Sequence, residues 1–248
     1  MKKPTLLLIS LLSISRIFAQ TTKQTHTNEE LGIWEKYEVL KADKQRKEGK
    51  YTASDLHGND VICEGFYKNN LRDSLWTYYG FRGQIAEKGR YKDGKKTGVW
   101  TAFNHQGELQ IKYDYTNNKF EFFKPIPQDV NKAFNIISGN STIKTVLDRP
   151  PVYLDGEARF SRPLISIRYP SQAREASIPI QGTVIITFTV SDKGEISNYR
   201  VKNSIGSGCD EEAMRAVKCI DGDWLPGLLN GKPVTVEYDV PITFSVGN

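Results

Sequence analysis

The sequence predicts an all-β domain of hairpin repeats followed by a small α+β domain. Three observations predict this division. Gly65, Tyr67 and Trp76 recur as glycine, tyrosine and tryptophan 24 positions later in the chain. Apolar and polar residues alternate in several segments of the last third, which indicates half-buried strands. A helical spacing of apolar residues follows Asp210 in the same third.

The repeats occupy residues 47–123. Each contains an aromatic strand, a short turn (Asn69-Asn70, then Asp93-Gly94) and a tryptophan-led strand that ends at a glycine. Such turns between aromatic strands predict hairpins, which must stack because one hairpin buries too little apolar surface. The pattern resembles the MORN-variant repeats of the YwqK-antitoxin type. We interpret the recurring aromatic side chains as the core of the stack rather than as an exposed face for glycan or protein: Trp76, Trp100, Tyr67 and Tyr91.

The N-terminus has the pattern of a secretory signal peptide over residues 1–19. Lys2 and Lys3 precede an apolar stretch from Leu6 to Leu12, and Ile17-Phe18-Ala19 forms a cleavage site. The stretch is shorter than the ~20 residues that a membrane span needs. We therefore expect export with cleavage, and the alternative is an uncleaved membrane anchor.

Composition and charge narrow the class of partner. The chain has 248 residues, of which 25% are charged and 38% hydrophobic, values typical of a soluble protein with a moderate core. Cleavage after residue 19 removes Lys2, Lys3 and Arg16, so the formal charge falls from +5 to +2. Nucleic-acid binding depends on a basic surface, and we therefore expect no nucleic-acid partner.

The segments between these parts lack strong signals. Residues 20–46 are predicted to be a lead-in, polar and flexible at its start. Pro125 and Pro127 at the start of residues 124–149, and Pro150 and Pro151 directly after them, indicate a linker, with one short helix near Val130 to Ile137.

The remaining chain, residues 150–248, has the elements of an α+β domain. Thr183 to Val190 and Glu195 to Lys202 predict an antiparallel hairpin, and Asp210 is placed to cap a helix. Another helix is predicted to begin beside Tyr169-Pro170. The last strand alternates from Val234 onward until Pro241, which favours a sheet edge because proline cannot donate to a ladder.

No catalytic constellation is evident, so we expect neither an enzyme nor a metal or small-molecule cofactor. The histidines His26, His57 and His105 are too sparse for a metal site, and no CxxC motif accompanies the three cysteines. Cys209 and Cys219 would lie roughly 15 Å apart along one helix, too far for a disulfide. They are interpreted as small buried or half-buried side chains; the alternative for Cys209 is a nucleophile at a helix start.

An ordered set of short motifs runs through residues 150–248. The set consists of Tyr169-Pro170, Ala173-Arg174, Gly182 with Val184, Val190 with Gly194, Ser204-Ile205-Gly206, Asp210-Glu211-Glu212-Ala213, Trp224 with Pro226-Gly227, Gly231-Lys232 with Val234, and Pro241 with Phe244. In this order the motifs resemble the C-terminal domain of the TonB family, and the preceding PPVYLDGEARF segment is similar to the lead-in of this domain in Bacteroidetes proteins.

The resemblance implies a fold of two helices on a small antiparallel sheet. It also implies a periplasmic domain that binds a short segment of an outer-membrane TonB-dependent transporter, by pairing that segment with the domain's last strand. The partner-binding residues so implied are Ile167, Arg168, Tyr169, Val234, Val236, Tyr238 and Val240. Two alternatives stay open for the last strand: pairing on both sides within the chain, or pairing with a second copy in a homodimer. Trp224 is interpreted as a core residue.

We therefore expect an exported periplasmic TonB-family protein that binds a partner peptide in TonB-dependent transmembrane transport. An uncleaved N-terminus would instead make the chain a full, membrane-anchored energy transducer. A third interpretation is an envelope glycan-binding or remodelling protein that uses the aromatic repeats.

Overall fold

The computed structural model describes residues 20–29, 31–139, 141–176 and 180–245. Within these residues the protein is mostly β, with one nine-stranded antiparallel sheet, one five-stranded antiparallel sheet and a few short helices. The predicted signal peptide, residues 1–19, lies outside the described residues. No helix in the described part of the chain is both long and apolar enough to cross a membrane.

The nine-stranded sheet, called the repeat sheet below, is a meander in which every strand pairs with the next one along the chain. Its strands are β1 (Thr21–Asn28), β2 (Ile33–Leu40), β3 (Lys47–Asp55), β4 (Val61–Lys68), β5 (Leu71–Tyr79), β6 (Ile85–Lys92), β7 (Lys95–Phe103), β8 (Leu109–Asp114) and β9 (Lys119–Phe123). A 3-10 turn, Phe81–Gly83, lies between β5 and β6. The prediction of a flexible lead-in is wrong for β1 and β2, because these strands extend the sheet by a further hairpin.

The turns between repeat strands have the backbone conformation that their residues predict. Asn69 and Asn70 have φ values of 52° and 64°, and Asp93 and Gly94 have values of 49° and 79°. Two successive positive φ values match the right-handed twist of the flanking strands. The hairpin prediction is therefore confirmed at both turns, whereas the MORN-variant resemblance stays a prediction.

Aromatic rings form the core of the repeat sheet, as predicted. Trp76 and Trp100 are 0% and 2% exposed. Each ring lies flat on the glycine of the neighbouring strand: a Cβ atom on Gly65 would be 2.3 Å from Trp76, and one on Gly89 would be 2.1 Å from Trp100. The repeated glycine is thus required because a side chain there would displace the indole ring.

The five-stranded sheet, called the C-terminal sheet below, joins two local hairpins through one strand that is distant from both in sequence, in the order β11-β10-β18-β13-β14. Its strands are β10 (Ala133–Ser138), β11 (Ser141–Val146), β13 (Gly182–Val190), β14 (Ile196–Asn203) and β18 (Val236–Phe244). Two small ladders pair β12 (Val152–Tyr153) with β15 (Trp224–Leu225), and β16 (Gly227–Leu229) with β17 (Lys232–Val234). The helix predicted near Val130 to Ile137 is wrong: β10 occupies that stretch and pairs with β18.

Short helices cover one face of the C-terminal sheet. They are α1 (Glu157–Phe160), α2 (Arg162–Ile165), α3 (Ser171–Arg174) and α4 (Cys209–Lys218), with a 3-10 turn at Pro127–Asp129. Trp224 is 6% exposed in this core, as predicted. The predicted cap needs correction, since Gly208 precedes the first helical residue of α4. The Asp210 carboxylate instead accepts hydrogen bonds from Ser204 and from the backbone of the loop before the helix.

A buried cluster of charges joins the repeat sheet to α1, which also packs against the core of the C-terminal sheet through Phe160. Lys96 of the repeat sheet lies 2.8 Å from the Glu87 carboxylate and 2.6 Å from that of Asp155, which precedes α1. Arg159 of α1 completes the cluster by pairing with Glu87, and its guanidinium lies 3.8 Å from the centre of the Tyr78 ring. Because all four charged groups are buried, each must keep its partners, and this fixes α1 on the repeat sheet.

Candidate functional site: the open half of the last strand

The two edges of β18 differ along its length. On one side β13 pairs with the whole strand, from Gly182 opposite Phe244 to Val190 opposite Val236. On the other side β10 pairs only with its start, at Val236 and Glu237. Among the described residues no strand pairs with this side of β18 beyond Glu237. The strand therefore has a closed half and an open half, the latter from Asp239 to Phe244.

The direction of the free backbone groups follows from one hydrogen bond. The Ile137 N–H donates to the Thr235 carbonyl at 2.9 Å, so the backbone groups of Thr235 face β10. Alternate residues of a strand direct their N–H and C=O groups to the same side. The N–H groups of Asp239 and Thr243 consequently face the open edge. Pro241 lies between them, and its missing N–H costs no bond to β13.

A deep apolar cavity, groove 1, adjoins the start of the open half. Its volume is about 380 Å³, and its walls come from the repeat sheet, from the segment after β9, from the residues around α1 and from β18. Its apolar lining includes Ile111, Phe123, Ile126, Phe160, Leu164 and Val240. Cavities of this size hold large side chains or small molecules.

A second cavity, groove 2, continues along the end of the same edge. It has a volume of about 340 Å³ and lies between the residues after α2 and the last part of β18. Ile167 and Tyr169 form one side, and Ile242 and Phe244 form the other. Leu164 lines both cavities, so the two grooves together follow the open half of β18 from end to end.

Polar groups are concentrated at the rim of groove 1. The Tyr238 hydroxyl donates to the Asp129 carboxylate at 3.2 Å, and the Lys132 ammonium lies 3.2 Å from the same carboxylate. Burial, together with the negative charge of Asp129, raises the pKa of Tyr238 above its usual value, so the phenol stays protonated. This rim offers one carboxylate and one ammonium beside an apolar interior.

Four of the seven partner-binding residues that the resemblance implied line the two grooves. Ile167 and Tyr169 line groove 2, and Tyr238 and Val240 line groove 1. The Arg168 N–H donates to the Glu212 carboxylate at 2.9 Å, which anchors the stretch that carries Ile167 and Tyr169.

The other two implied residues need correction. Val234 belongs to β17 and pairs with Gly227. Val236 is fully buried between β13 and β10. An open edge beginning at Val234 is therefore wrong for its first part, because β10 already occupies that position.

Sequence reasoning missed the wall of groove 1 that lies outside the C-terminal domain. Ile111 and Phe123 belong to the repeat sheet, and Ile126 belongs to the segment interpreted as a linker. The lead-in PPVYLDGEARF, residues 150–160, was the available signal, since it contains the whole of α1 and with it Phe160.

The remaining candidates for reactive chemistry are the Cys209 thiol and side chains that could bind a metal ion. Cys209 is fully buried, and burial raises the pKa of its thiol, with further raising by Asp210 and Glu211. This is the opposite of what a nucleophilic thiolate needs, and it favours the interpretation of Cys209 as a small buried side chain. No group of three or more histidine, cysteine or acidic side chains in the described segments is placed to hold a metal ion.

Comparison with known proteins identifies the C-terminal third. Residues 166–246 match the family model described as Gram-negative bacterial TonB protein C-terminal. This match supports the TonB C-terminal family for that segment, the domain of proteins that work in the energy coupling of transport. It covers about a third of the chain and includes α3, α4, β13, β14 and β18.

Comparisons with curated proteins and with solved structures do not indicate a function. No curated protein matches the sequence. Two solved structures are similar in part: a mutant of S. aureus TarM in complex with Fondaparinux, alpha-GlcNAc-glycerol and UDP, and TarM itself, with 13% and 12% identity and a TM-score of 0.24 each. The matches cover 40% of this chain, which spans 20% of the length of those chains. Similarity of this size carries no information about function.

Proposed function

We propose that this protein is an exported, periplasmic TonB-family protein that binds an extended segment of an outer-membrane transporter by strand addition to the open half of β18. The observation that carries the proposal is that no strand among the described residues pairs with the outer backbone of Asp239, Pro241 and Thr243, which two grooves adjoin. Exposed strand edges recruit extended chains because their N–H and C=O groups lack partners.

The outer strand on the opposite side of the same sheet is protected in a way that the open half is not. β14 carries Arg200 and Lys202, which reach across the sheet surface to Glu237 and Asp239 at 2.7 and 2.6 Å. Charged side chains along an edge disfavour pairing with another chain. The open half of β18 instead carries apolar Val240 and Ile242 on one face, with Pro241 between them on the other. This pattern favours a partner strand with alternating apolar side chains.

A peptide titration tests the proposal. Synthetic peptides about eight residues long, within the usual range of strand lengths, are taken from the N-terminal segments of outer-membrane TonB-dependent transporters. Binding is expected to slow amide hydrogen exchange at Asp239 and Thr243, with little change at Glu237, which β10 already covers.

Two variants of Thr243 separate the backbone from the side chain. Thr243→Pro removes the N–H that faces the open edge and leaves the β13 ladder intact, so binding is expected to weaken at least about tenfold. Thr243→Val keeps the N–H and removes only the hydroxyl, and it is expected to bind like the wild type. Equal affinity in both variants and the wild type would place the interface elsewhere on the molecule.

A second copy of the chain is the main competitor for the same edge. Two open halves pairing with each other would form a twofold dimer, and the test is the mass in solution at increasing concentration. A dimer that Thr243→Pro dissociates would show that the edge is occupied by the protein itself rather than by a transporter segment.

Export is the part of the proposal that depends on residues 1–19. The N-terminal residue of the protein purified from its native envelope decides it: Gln20 is expected for a released periplasmic protein. Met1 in its place would contradict release and would support a membrane-anchored energy transducer.

A further inference from the structure

The repeat sheet lines groove 1, although it precedes the segment that matches the family, which begins at residue 166. Only Tyr238 to Pro241 among the groove's lining residues fall within residues 166–246. Ile111 and Phe123 of the repeat sheet line the groove together with these residues. Phe123 is half-buried and stacks on Phe120 at 4.9 Å between ring centres, so its position is fixed by the sheet to which it belongs.

Several contacts hold the repeat sheet against α1, α2 and the segment before β15. Besides the buried charge cluster, the Gln110 side chain accepts a hydrogen bond from the Glu157 N–H at 2.8 Å. Tyr115 donates to the Asp223 carboxylate at 2.9 Å, and Arg162 donates to the Gly80 carbonyl at 2.6 Å. A preformed cavity binds more tightly than one that must be ordered on binding, because less conformational entropy is lost.

The register of an added strand determines which of its side chains meet this cavity. Tyr238, Val240, Ile242 and Phe244 all direct their side chains into the core beneath the helices. Residues directly opposite one another on paired strands share a face of the sheet. A side chain opposite Val240 therefore enters groove 1, and the side chain two residues away, opposite Ile242, enters groove 2.

Resting on the proposed function, we infer that the repeat sheet is part of the partner site: an aromatic side chain of the added strand inserts into groove 1 between Phe123 and Val240. The lining of the groove is mainly apolar, with Ile111, Phe160 and Leu164 completing it, and polar groups such as Asp129 and Lys132 lie at its rim. Its volume of about 380 Å³ exceeds what a small side chain fills, and an aromatic ring buries the most apolar area per residue. The partner is thus an extended segment with an aromatic residue, flanked by polar residues at the adjacent positions.

The test uses two matched peptide sets with one transporter-derived scaffold. In one set phenylalanine is placed at each position in turn, and in the other alanine takes its place. Wild-type protein is expected to prefer phenylalanine at one position by at least about tenfold, the size of a buried anchor residue. Phe123→Ala is expected to remove most of this preference. Phe122→Ala is the matched control, because Phe122 is the neighbouring residue of β9, is 41% exposed and does not line the groove.

A measurement on the wild-type protein makes the test independent of how the variants fold. The methyl groups of Ile111 are expected to shift in NMR spectra on binding of the phenylalanine peptide, through the current of the inserted ring, and to stay in place with the alanine peptide.

The outcomes separate this inference from the proposed function. If both peptides bind equally well, and Thr243→Pro weakens both, strand addition stands and the role of the repeat sheet is overturned. If neither binds the wild type, both proposals fail.

Discussion

The two sheets of this protein reach similar antiparallel arrangements by different routes. In the repeat sheet all nine strands pair in chain order, so each contact closes a short loop. In the C-terminal sheet, Asn135 of β10 pairs with Glu237 of β18, about a hundred residues away. Short loops cost little entropy to close, and their pairing is encoded by the turn residues between the strands. Pairing between strands that are distant in sequence has no such signal in neighbouring residues. The sequence therefore predicts the hairpins of this protein more readily than its long-range strand pairs.

The sheets also bury their faces differently. The repeat sheet places large aromatic rings on glycine, whereas the C-terminal sheet packs aliphatic strand residues such as Val184, Ile186 and Val240 under short helices. Their charges differ as well: the repeat sheet contributes Glu87 and Lys96 to the buried cluster besides its exposed pairs, whereas the pairs formed by Arg200 and Lys202 on the C-terminal sheet lie on an open face. Three predictions follow this contrast from the largest effect to the smallest.

The largest effect is expected from removing a ring of the repeat core. Trp76→Ala should lower the free energy of unfolding by roughly 3–5 kcal/mol, because the ring is fully buried and its neighbours cannot fill the space above Gly65. The change in the free energy of unfolding is measured by urea denaturation, with the fluorescence of the remaining tryptophans as the signal. Leu75→Ala, one residue away on the opposite face and 49% exposed, is the control, with an expected change below about 1 kcal/mol. Similar losses in the two variants would show that the aromatic face does not hold the sheet together.

This contrast also explains what could be predicted from the sequence. The hairpins at Asn69-Asn70 and Asp93-Gly94, and the hairpin of β13 and β14, follow from residues within one short window. β10 could not be recognised in the same way, since its six residues become a strand through a partner that lies at the other end of the chain.

The candidate site was predictable to the same degree. Pro241 indicated an edge, and the structure places it in the open half of β18. The side chains of Tyr238 and Val240 were found because they belong to that strand. Phe123 and Ile111 were not, because only the folding of one sheet against another brings them to groove 1.

A smaller effect, dependent on pH, is expected from the buried cluster that joins the sheets. Burial and the nearby Asp155 carboxylate raise the pKa of Glu87 to about 7, although Lys96 and Arg159 oppose the shift. A carboxyl group with a raised pKa in the folded state favours folding at low pH, and this contribution is lost as the pH rises through 7. Between pH 4.5 and 8 the wild type should therefore lose on the order of 2–3 kcal/mol through this group.

Glu87→Gln isolates that contribution, because glutamine has nearly the same shape and does not titrate. The free energy of unfolding of the variant is expected to fall less steeply with pH than that of the wild type, so the difference between them shifts in favour of the variant from pH 5 to pH 8. Glu108→Gln, at an exposed carboxylate of the same sheet, is the control and should leave the slope unchanged. Parallel curves for wild type and Glu87→Gln would mean that Glu87 is ionised throughout this range.

The smallest effect is expected from the exposed pairs of the C-terminal sheet. Lys202 lies 2.6 Å from the Asp239 carboxylate, and both side chains are about a third exposed. Lys202→Ala should lower the free energy of unfolding by less than about 1 kcal/mol, because water already solvates both charges and salt screens their attraction. Lys50→Ala tests the same kind of pair on the repeat sheet, where Lys50 lies 3.8 Å from Glu64. Both small losses of unfolding free energy should become smaller still in 1 M salt. The pH dependence that Glu87 gives the wild type should persist in 1 M salt, since screening acts weakly on buried charges. A salt-insensitive loss in Lys202→Ala would instead indicate that this lysine contributes through the packing of its aliphatic stem along β14.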